Sequence, residues 1–159
     1  MNASEARLHD LAYAVEREAL YLQQTDASLF ERPFSLERLA DLPQNQRESE
    51  QVDAFAMRFS RLQDTLGDKL LPALLGYVAE PLGTAADNLD RAERLGWLRS
   101  ADAWLTVRKL RNYLTHEYEK HPDLLLKALE RTHAAVPLLC GTAAVLAAEV
   151  RRRVPPAAA

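Results

Sequence analysis

The amino-acid sequence predicts an all-α fold, an antiparallel bundle of about five helices, in one domain over residues 1–153 with 154–159 as a disordered tail. Three observations predict it. Hydrophobic residues make up 48% of the 159 positions, with Leu and Ala dominant and Gly at only five, a composition that favours helix and supplies a core for one domain. Apolar residues recur at threes and fours rather than alternating. Proline, glycine and capping residues fall between the periodic stretches.

The first helix is predicted over Ala3–Gln24, with Asn2 or Ser4 near its cap and Leu8, Leu11, Ala12, Val15, Ala19 and Leu22 as its inner face. Residues 25–47 break the pattern with Thr25, Asp26, Ser28, Pro33 and Pro43, and Ser35–Asp41 is expected as a short helix inside this connection. A long helix follows over Gln46–Ala79, striped by Val52, Phe55, Phe59, Leu62 and Leu66. Gly67 and Pro72 are expected to bend or interrupt it, because proline removes a donor and crowds the preceding turn. Thr84, with Asp87 three residues on, caps the next helix, and Gly96 is placed to take the left-handed position past its end. Ser100 opens a helix whose core positions are Trp104, Val107, Leu110 and Leu114. His121-Pro122 ends it and starts the last helix, in which Pro137 and Gly141 predict a kink and Arg151–Arg153 complement the negative end of the helix dipole.

The longest uncharged run, Ala134–Ala148, is shorter than the roughly 20 apolar residues of a membrane span, so it reads as a core helix and no membrane partner is expected. Cys140 is the single cysteine, which suits a reducing cytoplasm, and no signal-peptide pattern opens the chain. Net charge is −3, which argues against a general nucleic-acid coat, but its distribution is uneven: −8 over residues 1–90 and +5 over 91–159. A local positive field attracts a phosphate backbone even on an acidic protein.

Within the basic part lies Arg111-Asn112-Tyr113-Leu114-Thr115-His116-Glu117-Tyr118. Arg111 is a permanent cation with a planar fork of donors, His116 titrates near neutral pH, Tyr118 offers a hydroxyl, and Asn112 and Thr115 add polar contacts. On a helix Arg111 and Tyr118 fall within about 20° of each other, while Arg111 and His116 stand about 140° apart. On one straight helix those two do not converge. Either the helix deforms or a second copy of the chain completes the site.

Other site types are absent from the sequence: no Gly-x-Gly-x-x-Gly, P-loop, Gly-x-Ser-x-Gly or His-Glu-x-x-His, and no standard metal spacing among His116, Glu117, Glu119 and His121. No cofactor or metal is expected. The residue types present suit metal-independent RNA cleavage, in which the ribose 2′ hydroxyl attacks the adjacent phosphate; the absence of other site types does not by itself imply that activity, which rests on a family resemblance. His116 handles a proton and Arg111 stabilises phosphorane charge, with Asn112 and Thr115 in support. By residue type alone, Arg111 and His116 are equally a surface pair salt-bridged to Asp or Glu.

The pattern Arg-x4-His-x-Tyr, with Asn112 directly after the arginine, resembles the signature of the HEPN superfamily, and more narrowly that of HepT-like toxins. Arg58–Asp64 and Arg91–Gly96 are also similar to that family, and the likeness covers most of residues 1–150, with 25–47 outside it. The resemblance implies a HEPN-like bundle and a homodimer in which two subunits bring their Arg and His residues together. It implies an endoribonuclease acting on RNA with Arg111 and His116 catalytic, and a nucleotidyltransferase antitoxin that attaches AMP to the tyrosine at position 118. The alternatives are a non-catalytic helical binding subunit of a nucleotidyltransferase, and a helical scaffold that carries the motif incidentally.

Overall fold

A computed structural model of the chain describes residues 1–115 and 120–156, and every side chain among these except those of Asn112 and Thr115. No strand occurs among the described residues; the chain runs through α1 (Ala3–Leu29), α2 (Leu36–Ala40), a 3-10 turn (Leu42–Gln44), α3 (Gln46–Asp64), a π-helical turn (Thr65–Leu70), α4 (Leu71–Tyr77), α5 (Ala85–Arg94), α6 (Ala101–Thr115) and α7 (Pro122–Arg153). The all-α bundle is therefore as expected. Helices α1, α3, α6 and α7 form its body: α1 packs on α3 and α7, and α6 packs on α7 and more lightly on α3. One continuous core joins them, and Phe55, Phe59, Leu62, Leu66, Leu129 and Leu139 are among its fully buried side chains.

Caps set most boundaries. Asn2 closes a capping box with Glu5 at the start of α1, and Thr84 does the same with Asp87 for α5, whose Asp87 carboxyl is held below the usual range chiefly by the Thr84 backbone hydrogen bond. Gly96 takes φ +77, and the amides of Gly96 and Trp97 donate back to the carbonyls of Glu93 and Ala92. This Schellman turn places Trp97 in the core and aims the chain into α6.

Helix α1 does not stop at Gln24. Thr25, Asp26 and Ser28 read locally as breakers, yet the helix continues to Leu29. Each difficult residue has tertiary compensation or a local bond. Thr25 Oγ1 donates to the Tyr21 carbonyl and accepts from Arg58; Asp26 binds His133 of α7 at 2.6 Å; Leu29 is fully buried. Arg58, which also donates to the Tyr21 carbonyl at 3.1 Å, is thus a tie between α3 and α1.

The segment 30–45 is ordered around Arg38. Its guanidinium binds the Glu48 carboxylate, donates to the carbonyls of Arg32 (2.5 Å) and Leu29 (2.7 Å), and lies 3.7 Å over the Phe34 ring. Ser35 caps α2 through the Arg38 amide, and Asn45 caps α3 through the Glu48 amide.

The α-helix is interrupted at Gly67 and Pro72 as expected, but the chain does not break there. The chain instead widens into the π turn, where the Leu71 amide reaches back five residues to the Leu66 carbonyl just before the donor-less Pro72. A π turn of this kind absorbs an extra residue without exposing the core. Pro137 and Gly141 likewise lie inside α7, which runs unbroken to Arg153. This helix is long and apolar enough to cross a membrane by length and composition, with a mean hydropathy of 1.5 in its most apolar window, of which 50% is buried in the bundle. Beyond it, Val154 is buried and the Pro155 carbonyl accepts from His9 at 2.8 Å, so the start of the expected tail is docked onto α1; residues 157–159 lie outside the described residues.

Glu18 sits half-buried where α1 meets the π turn. Its Oε1 accepts from Thr65 at 3.1 Å, and Oε2 has no partner among the described residues. Burial pushes its pKa up, against the opposing pull of Thr65, Arg61 and Lys69. A raised folded pKa means that protonation favours the fold, and that benefit is lost as pH rises through the raised value. Glu18→Gln is expected to raise the urea midpoint at neutral pH and to match wild type below the carboxylate range. Equal midpoints at both pH values would contradict this.

Candidate functional site

The site is built on α6. Ser100 opens the helix by accepting from the Ala103 amide at 3.0 Å, and Glu93 of α5 accepts from the Ala101 amide at 3.2 Å. Trp104, Val107, Leu110 and Leu114 are buried as their spacing predicted, together with Ala101, which leaves Arg108, Lys109 and Arg111 on the outer side of α6. Trp104 packs close to the backbone of Gly67: a Cβ there would stand 3.5 Å from its indole nitrogen. This contact seats α6 against the π turn.

Helix α6 runs antiparallel to the α3–π segment, and two ion pairs bridge them. Arg111 forms a two-pronged pair with Asp64, one prong of which is 3.2 Å long, and Arg108 approaches Asp68 at 3.9 Å. The Arg111–Asp64 pair is not sealed off: the two side chains are 30% and 41% exposed. Arg111 therefore has a fixed orientation and a face toward solvent. Leu105, Arg108, Lys109 and Arg111 line an open depression of about 500 Å³ along the outer side of the helix.

Of the five candidate residues, Arg111 is placed at this surface. Asn112 and Thr115 belong to the backbone of α6, their side chains lying outside the described residues, as do His116 and Tyr118 entirely. Among the described residues, no group of three His, Cys, Asp or Glu side chains is arranged to hold a metal. Cys140 is buried against α1, and burial raises its thiol to about 11, which leaves it a poor nucleophile.

One feature of the site escaped the sequence reading: Asp64, whose pairing with Arg111 spans 47 residues. Next to it in sequence, Gln63 is only 2% exposed, and neither its amide oxygen nor its nitrogen, nor the hydroxyl of Ser60 one turn earlier, is bonded among the described residues. A buried amide with no partner costs about 1–3 kcal/mol. Gln63→Leu is accordingly expected to stabilise the fold by up to about that amount in urea titrations. A loss of stability instead would show that the amide has a partner, such as ordered water.

Searches of protein-family models, of curated proteins and of solved structures each returned no match to the chain.

Proposed function

We propose that this chain is a HepT-like endoribonuclease toxin. It cleaves RNA without a metal, works as a homodimer, and is neutralised by a nucleotidyltransferase antitoxin in the cytoplasm. The observation that carries the reading is the Arg-x4-His-x-Tyr motif in the sequence, whose arginine lies on an amphipathic helix of an all-α bundle and is held in a defined orientation at an exposed basic surface. In the reaction the ribose 2′ oxygen bonds to phosphorus and the 5′ oxygen leaves, giving a 2′,3′-cyclic phosphate. His116 takes up or delivers the proton these oxygens exchange, and Arg111 offsets the charge that builds on the phosphorane. Tyr118 is the residue on which AMP would be placed. A bulky anion there competes with RNA for the field of Arg111.

One observation favours a second reading. Arg111 already has a carboxylate against it, which suits a non-catalytic helical subunit that binds a nucleotidyltransferase through this face.

The test is RNA cleavage by the purified protein in EDTA, with His116→Ala and Arg111→Ala alongside and intact mass checked for AMP on Tyr118. Cyclic-phosphate ends that disappear in both variants are expected. If unmodified, well-folded wild type cuts no RNA across diverse sequences, the ribonuclease reading falls and the binding-subunit reading replaces it.

A further inference from the structure

From Ala103 to His116 the chain contains three cationic side chains and no Asp or Glu. Exposed helix faces ordinarily interleave the two signs at i, i+4, which stabilises the helix. Among the described residues the acids paired with these cations come from the opposing segment: Asp64 serves Arg111, Asp68 stands 3.9 Å from Arg108, and Lys109 is exposed with no ion pair among the described residues. Arg108 and Arg111 are neighbours one turn apart. The depression they line with Lys109 and Leu105 extends about 9 Å along the helix axis, with Leu105 as its partly apolar floor.

We infer that Arg108 and Lys109 form a phosphate subsite next to Arg111, so that the ligand is a single-stranded RNA of at least a dinucleotide, held by a backbone phosphate adjoining the one at Arg111. This deepens the ribonuclease reading and rests on it for the identity of the nucleic acid. A strand laid along α6 places one phosphate near Arg111 and the next near Arg108 and Lys109. A sugar or base edge then meets Leu105. Such contacts are electrostatic and indifferent to base identity.

The experiment measures binding of a fluorescein-labelled 2′-O-methyl oligoribonucleotide, which lacks the nucleophile and cannot be cut, to the full chain at several salt concentrations in EDTA. For single strands the logarithm of the binding constant falls with log salt by about 0.7 per phosphate neutralised. Arg108→Ala and Lys109→Ala should each weaken binding and flatten that slope by about 0.7, equally for different base sequences. Lys127→Ala, on exposed α7 surface, should change neither. Thermal melts confirm that the variants fold. Unchanged slopes in both α6 variants, or no binding by wild type, overturn the subsite. Binding that depends on Arg108 and Lys109 without cleavage of the matching ribo-oligonucleotide sinks the ribonuclease reading alone. Cleavage with binding indifferent to both residues sinks the subsite alone.

Discussion

Arg38→Ala is expected to destabilise the fold by about 3–5 kcal/mol, the cost of leaving one partner of a buried ion pair uncompensated. Both side chains of the Arg38–Glu48 pair are only 10% exposed. Deleting the guanidinium leaves the Glu48 carboxylate with the Asn45 cap and with Arg32 at 3.9 Å, and leaves the carbonyls of Leu29 and Arg32 without their donor. It also removes the cation over Phe34, a buried ring that packs edge-on against Phe30. The measurement is the urea midpoint, with Glu48→Ala and the double variant completing a cycle. The double variant should lose less than the sum of the two singles, because it leaves no orphan charge. A loss below about 1 kcal/mol in Arg38→Ala would mean that water already solvates the pair as it does a surface bridge.

This residue also shows where the sequence stops being informative. The helices were legible because a 3.6-residue period leaves its mark on every buried stripe, from Leu8–Leu22 in α1 to Trp104–Leu114 in α6. The caps at Asn2 and Thr84 were legible because a cap is a local bond three residues long. Arg38, by contrast, looks like any surface arginine on a short helix. Its importance arises from carbonyls six and nine residues back and a carboxylate ten residues on, which converge only when the segment folds over. The end of α1 was misplaced for the same reason: Thr25 and Asp26 have poor intrinsic helix propensity, and their compensation comes from Arg58 and His133. At Gly67 and Pro72 the sequence signalled trouble in the helix but not its resolution, since a break and a π turn answer the same missing hydrogen bond. In the site, the motif residues stand together in sequence, whereas Asp64 meets Arg111 only through the antiparallel packing of α3 against α6.

Asp64→Asn is expected to lower RNA cleavage by about 10²-fold, the scale of loss when a reacting group is misplaced by roughly 1 Å. The fall should appear mainly in kcat. Asparagine keeps the size of the side chain but replaces one acceptor oxygen with a donor, so the two-pronged hold on the Arg111 guanidinium is broken while its charge remains. Stability is a different matter. The pair is 30% and 41% exposed, so its loss should cost no more than about 1 kcal/mol, and unfolding cannot then account for a hundredfold effect. Arg111→Lys separates orientation from charge: lysine keeps the cation but not the planar fork, and should fall with Asp64→Asn if geometry is what matters. The opposite sign is equally informative. A carboxylate that merely neutralises Arg111 would repel RNA, and its removal would then tighten binding and speed cleavage. Faster cutting by Asp64→Asn would therefore overturn the positioning role and make Asp64 a brake on the site.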